Sequence, residues 1–297
     1  MDKATIILAG ATGDLGGRIT KALLRQGANV RALVRQKTSP DKIKRLQRDG
    51  VSIAEVDFGN ATSVTKACSR GSCVVSALSG LRDVIVETQT VVLKSAIDAG
   101  VPRFIPSDYS IDFTKLPPGT NRNLDLRREF HQRLSKTSIA ATTIFNGAFT
   151  ELLTGQAPII LFKWKRILYW GDADQLMDFT TKDDTATFTA AAALDSSAPR
   201  FLRIAGDQVS ARDLVAITSE VTGDKFRLFR AGGLGSLDKM IKVMRAVLPK
   251  TQTLYPPWQG MQYTHNMFSG LAKLEPLDNS RYPGIQWRTV RDVIAAR

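Results

Sequence analysis

Through the first 150 residues, short apolar runs alternate with amphipathic segments at a steady beat. Runs rich in Val, Ile, Ala or Phe at 4–9, 29–34, 51–56, 72–77, 102–106 and 139–145 read as strands. Helical periodicity fills 14–26, 41–49, 61–70, 83–99 and 122–136 between them. Gly27, Gly50, Gly71 and Gly100 each follow a helix, where the chain needs a left-handed cap. Strands alternating with helices over short connections imply parallel pairing and right-handed crossovers. The pattern therefore predicts an α/β fold, a doubly wound parallel sheet of the Rossmann type.

After residue 150 the beat changes. Residues 158–174 read as a β-hairpin, 182–193 as a helix and 201–204 as a strand. Helices follow near 210–221, 235–247 and 287–295, with an aromatic-rich stretch at 255–263 before the last. This predicts a nucleotide-binding domain over 1–150 and a smaller substrate lobe over 151–297 that also returns elements to the main sheet.

The first strand runs into Gly10-Ala11-Thr12-Gly13-Asp14-Leu15-Gly16 and then a helix. Such a turn is built to hold a pyrophosphate. Gly10 permits the tight turn, Gly13 lets the backbone approach the phosphates, and Gly16 lets helix and strand pack closely. The helix N-terminus adds free N–H groups and a partial positive charge, with Thr12, Asp14 and Leu15 lining the turn. In this fold the residue ending the second strand meets the adenosine ribose. An acid there would repel a 2′-phosphate, but this chain has Arg35 and no acid before Asp41. Arg35, with Lys42 opening the next helix, favours NADP over NAD.

Composition narrows the function classes. No apolar run is long enough to cross a membrane and the chain enters its first strand at once, so a cytoplasmic protein is expected. Cys68 and Cys73 are too few for a disulfide framework and read as core. The net charge of +13 is dispersed, and its densest cluster, Lys163-Trp164-Lys165-Arg166, reads as a turn in the hairpin. Without a helix-turn-helix, zinc-ligand spacing or an aromatic RNA-binding motif, the charge argues for a phosphorylated cofactor or acidic substrate rather than nucleic acid. No metal is expected.

These residues resemble the NmrA-like family of atypical short-chain dehydrogenases, which includes isoflavone-reductase-like enzymes and cofactor-sensing regulators. The resemblance covers essentially the whole chain. Its carriers are Gly10 to Gly16, Leu33-Val34-Arg35, Val56-Asp57 and Val74-Val75-Ser76-Ala77-Leu78, then Arg103-Phe104-Ile105-Pro106-Ser107-Asp108-Tyr109 and Phe145-Asn146-Gly147-Ala148-Phe149. It implies an NADP(H)-binding domain whose nicotinamide lies over the strand ends near Ser76, Pro106 and Asn146. Asp57, Ala77, Leu78 and Ser107 join the implied cofactor contacts. It also implies a C-terminal lobe closing over a substrate.

The chain departs from the family where chemistry is decided. Conventional relatives carry a Tyr-x-x-x-Lys pair before the sixth strand, and isoflavone-reductase-like members keep only the lysine. Counting back from Ile139, the matching positions hold Asn123 and Arg127. Arg127 can hydrogen-bond ribose hydroxyls, but a guanidinium gives up no proton near neutral pH. Asn123, Arg127 and His131 share one helix face, opposite Leu126, Phe130 and Leu134. His131 reads either as a proton donor or as an exposed histidine beside the cleft. Tyr109, at a strand end, reads as a hydrogen-bond donor to a substrate carbonyl or as packing. Ser107 reads as a site serine or a cap, and Asp183-Asp184 as charges serving a helix start. Tyr255, Trp258, Met261, Tyr263 and Phe268 read as an aromatic substrate pocket or as lobe core.

Two functions follow. One is an NADPH-dependent reductase of a small carbonyl or enone compound, aromatic or not. The other is an NADP(H) redox sensor that changes its affinity for a protein partner. The aromatic lobe favours the reductase. Oligomeric state stays open.

Overall fold

A computed structural model describes residues 3–248 and 252–297. Strand β1 (Thr5–Ala9) leads into α1 (Asp14–Arg25), β2 (Asn29–Arg35), α2 (Pro40–Arg48), β3 (Ser52–Val56), α3 (Ala61–Cys68) and β4 (Cys73–Ser76). A π-helical turn at Asp83–Thr88 runs directly into α4 (Gln89–Asp98), followed by β5 (Arg103–Ile105), α5 (Arg122–Leu134), β6 (Ala140–Ala141) and β7 (Thr143–Phe145). The main sheet is parallel throughout, in the order β3-β2-β1-β4-β5-β6. Helices cover both faces, so β1 and β4 are buried on both sides and carry continuous apolar runs. The order reverses between β1 and β4, and the strand ends there open the crevice in which such folds bind ligands.

The run at 139–145 is two strands, not one. Thr142 N–H still donates to Phe104 O on β5, but Thr143 N–H turns to Arg200 O on the other side. Pairing is thus handed to a strand from the C-terminal half.

That half continues with β8 (Ala148–Phe149), β9 (Ile160–Leu161), β10 (Arg166–Trp170), β11 (Met177–Thr180), α6 (Lys182–Leu194), β12 (Phe201–Arg203) and β13 (Asp207–Val209). It ends with α7 (Ala211–Thr222), β14 (Arg227–Gly232), α8 (Leu234–Val247), α9 (Pro257–Phe268) and α10 (Val290–Ala295). Helix α6 packs along α1, and β12 pairs parallel with β7. Two small sheets, β14-β10-β9 and β13-β11-β8, enclose a second core built on Leu153, Ile167, Trp170, Phe179, Leu237 and Phe268. The stretch at 255–263 is mostly helix. Pro256 and Pro257 start α9, since a proline in the first turn removes only an N–H that has no partner there. Cys68 and Cys73 are buried free thiols, and burial pushes both up, to about 11 and about 12. No helix among the described residues is long and apolar enough to cross a membrane.

Candidate functional site

The glycine turn is held by contact. Gly10 has φ +92°, and a Cβ there would lie 2.5 Å from Ala77 O on the neighbouring strand end. A Cβ on Gly16 would lie 2.0 Å from Gly10 O. Gly13 N–H donates to Gly10 O at 3.0 Å, and Gly13 caps α1 without a side chain. The first N–H groups of α1 are therefore left for an external anion. Asp14, at the first turn, is ion-paired to Lys182 of α6 at 2.7 Å and to Arg18 at 2.8 Å, and these contacts hold its carboxyl below the usual range. Asp14 therefore faces α6 rather than the turn.

At the end of β2, Arg35 is exposed, and Thr38 N–H folds back on its carbonyl so that α2 begins at once. Lys42 is exposed in the first turn of α2. Among the described residues no carboxylate is paired with either. Asp57 is exposed and accepts from Gly59 N–H within its own turn.

The strand ends over the crevice carry buried polar atoms with nothing to bond. Ser76 ends β4, Asn146 follows β7 and Thr150 follows β8, and all three residues are fully buried. Among the described residues, Ser76 Oγ, both polar atoms of the Asn146 side chain and Thr150 Oγ1 have no hydrogen-bond partner. Leaving such atoms unsatisfied costs about 1–3 kcal/mol each, so Ser76 and Asn146, both at the C-terminal ends of strands, mark a place for a polar ligand. Together with the turn and the free cations, these residues fit a phosphorylated dinucleotide. Below them Ser107 donates its hydroxyl to Leu78 O at 2.7 Å, and its N–H donates to Gln89 Oε1 at 2.9 Å. Pro106 and Ser107 are thus fixed as a floor, with the serine hydroxyl engaged.

On α5 the predicted face is present, but its members do different things. Arg127 donates to Asn123 O, while its Nε is buried and without a partner among the described residues. Asn123 is engaged with Leu254 O and the Arg122 guanidinium. His131 is not exposed: its ring lies 2.5 Å from Asp108 Oδ2, near Thr143 and Arg200, and against Phe113. Tyr109 is turned away from the crevice. Its ring is buried in the core with Phe188 and Ala190, and its hydroxyl lies by Thr189 of α6. Burial pushes the Tyr109 phenol far above the usual range. Asp183 pairs with Arg18 and Arg288, while Thr181 caps α6 by accepting from Asp184 N–H.

The sequence profile of the NmrA-like family matches residues 2–233. The chain belongs to that family. Pinoresinol reductase 1 of Arabidopsis thaliana is 28% identical over 244 residues, 75% of each chain. The solved structure of an isoflavone reductase superposes with a TM-score of 0.83 at 19% identity, covering 99% of both chains. That of AtPrR2 with NADP+ and (+)pinoresinol superposes with a TM-score of 0.82 at 20% identity, covering 100% of this chain and 99% of the other. The two superpositions show a shared fold.

In this NmrA-like protein, then, the glycine turn, Ser76, Pro106 and Asn146 stand at the C-terminal ends of strands, Tyr109 packs in the core and His131 is engaged with Asp108. Thr150 escaped the sequence reading although it directly follows the Phe145–Phe149 motif. In the sequence Tyr263 is one aromatic among several in the stretch at 255–263. It lies on α9 and packs on the cluster that includes Leu124 of α5 and Phe145. Helical spacing of the polar residues Gln259, Gln262 and Asn266 was the signal that α9 turns one face inward.

Proposed function

We propose that this protein is an NADPH-dependent oxidoreductase that reduces a small carbonyl or enone compound, aromatic in type. The observation that carries the reading is the set of unpartnered polar atoms on Ser76, Asn146 and Thr150, with the strand end after Ser76 packed against Gly10 of the glycine turn. The family membership supports it, as does a relative named as a pinoresinol reductase and a like-folded protein solved with NADP+ and pinoresinol.

In this reading residues 1–150 bind the nucleotide and 151–297 supply the substrate lobe, with α6 and β12 completing the nucleotide half. The backbone from Gly10 to Gly16 receives the pyrophosphate. Arg35 and Lys42 receive the 2′-phosphate, with Arg35 offering a planar fork of donors. Ser76, Asn146 and Thr150 hold the nicotinamide end over Pro106, and Arg127 donates to ribose hydroxyls. The bound nicotinamide supplies the hydride. The protein's own work is to orient, to exclude water and to deliver a proton. Two buried free thiols suit a reducing cytoplasm.

The test is NADPH oxidation by the purified chain against a panel of aromatic ketones, aldehydes, enones and quinones. Turnover of a panel member is the expected result. Tight NADPH binding with no turnover across the panel would replace this reading with a cofactor sensor.

A further inference from the structure

We infer that Tyr263 is the proton donor of this reductase, carried by α9 from the C-terminal lobe and docked on α5, the helix that bears Arg127. The inference rests on the reductase reading and adds the residue that reading lacks, because Asn123, His131 and Tyr109 are all engaged or buried elsewhere.

The docking of α9 on α5 is specific. Gln259 Nε2 donates to Asn121 Oδ1 at 2.7 Å, Asn121 Nδ2 donates to Asn266 Oδ1 at 3.1 Å, and Arg122 N–H donates to Gln262 Oε1 at 3.1 Å. All four amide side chains in these contacts are buried. Gln259, Gln262 and Asn266 stand at i, i+3 and i+7, and Tyr263 at i+4 shares their face. Its ring packs on the cluster that includes Leu124 of α5 and Phe145, and the ring centroid of Tyr255 is 6.5 Å away.

The height is right as well. His131 touches Thr143 on β7. Asn146 lies about 10 Å further along that strand, at about 3.3 Å per residue. Helix α5 runs opposite to the strands, so Arg127 sits one turn, about 5.4 Å, toward the same edge. Arg127 thus stands between the level of His131 and that of Asn146, and Tyr263 packs on the cluster that includes Leu124 of α5 and Phe145, the residue before Asn146. The buried Arg127 Nε, without a partner among the described residues, is a fixed positive group there.

The chemistry balances. Tyr263 gives its phenolic proton to the oxygen of a substrate carbonyl whose carbon receives the hydride. The C=O π bond opens, an O–H and a C–H bond form, and an alcohol leaves. NADPH is oxidised to NADP+, and the Tyr263 phenolate, stabilised by Arg127, takes a proton back from water. Burial pushes this phenol up to about 12, with Arg127 the strongest influence pulling it back, so it is protonated at neutral pH as a donor must be. An alkoxide is more basic than a phenolate, so the transfer runs downhill.

The experiment uses the full chain, NADPH, and a panel compound that the wild type turns over. Tyr263→Phe is expected to lower kcat about 100-fold, the low end for general acid catalysis. KM and the NADPH affinity read by fluorescence should stay within about twofold, as expected for a group acting mainly in the transition state. In alkaline absorbance titrations without substrate, Tyr263→Phe should lose one tyrosinate step, and Arg127→Gln should move that step to higher pH. Turnover by Tyr263→Phe within about threefold of wild type overturns the donor and leaves the reductase standing, since a real general acid contributes far more. Failure of the wild type to turn over any panel member overturns both. If Tyr263→Phe folds poorly, the Arg127→Gln titration decides: an unmoved tyrosinate step overturns the pairing, and a raised one supports it.

Discussion

His131 Nε2 lies 2.5 Å from Asp108 Oδ2, and what stands on the other side of the ring fixes the direction of that contact. Arg200 Nη2 is 3.3 Å from His131 Nδ1, and a guanidinium can only donate. Nδ1 is therefore the acceptor, and Nε2 carries the proton it gives to Asp108. Thr143 Oγ1 donates to the same carboxylate oxygen at 3.0 Å, and Asp108 is fully buried. This is a tie between α5 and the ends of β5 and β7, not a free acid.

His131→Ala should accordingly act on stability. Taking a hydrogen-bond donor from a buried carboxylate costs about 1–3 kcal/mol, and the upper part of that range applies because the group left behind is charged. Urea unfolding of the variant should show that loss, while NADPH affinity stays within about twofold because the site edge is untouched. A stable variant with lost turnover would instead mark His131 as the donor.

Asn146→Ala should do the reverse. Both polar atoms of the side chain are buried with no partner among the described residues, so the free protein bears their desolvation without return. Deleting them should leave thermal stability unchanged or raise it, while NADPH binding weakens about tenfold, the loss of roughly one good hydrogen bond to the ligand. Melting curves with and without NADPH separate the two effects. Lost stability with unchanged binding would show that the asparagine serves the fold.

Arg35 sets the nucleotide preference. It is exposed at the end of β2, and no carboxylate among the described residues is paired with it. NADPH should bind at least about tenfold tighter than NADH, one charge-assisted contact's worth, and Arg35→Glu should erase the difference. The preference should also shrink with added salt, since both partners face water. Equal affinities in the wild type would assign the 2′-phosphate to another group.

What was legible in the sequence was local. Gly10, Gly13 and Gly16 stand between a strand and a helix, and their meaning depends on neighbours within the turn. The shared face of Asn123, Arg127 and His131 follows from helical spacing alone. What each residue on that face does was not legible, because its partners come from elsewhere in the chain. Asp108, Thr143 and Arg200 close around His131 only after β12 has paired with β7. Tyr109 shows the same limit: its position after a strand end is readable, but which side of the sheet receives its ring depends on α6 packing beneath. The break at Thr142 has no local sign either, since it reflects a change of pairing partner.

Glu87 gives an acid-range prediction with a defined sign. It lies in the π-helical turn at Asp83–Thr88 and pairs with Arg133 of α5 at 2.9 Å and with Arg82 at 2.5 Å. Its hydrogen bond to Arg133, more than the one to Arg82, holds its carboxyl down from 4.5 to about 2. The unfolded chain therefore takes up this proton first. The contribution of Glu87 is complete above about pH 4.5 and is lost as pH falls toward about 2. Asp184 opposes it, because burial raises its carboxyl and makes the folded state the better proton acceptor there. Thermal melting of the wild type between about pH 6 and about pH 2 should thus fall with acid. Glu87→Gln should flatten that fall, and Asp184→Asn should steepen it. A melting profile unchanged by Glu87→Gln would mean that the pair with Arg133 is too well solvated to bind the π turn to α5.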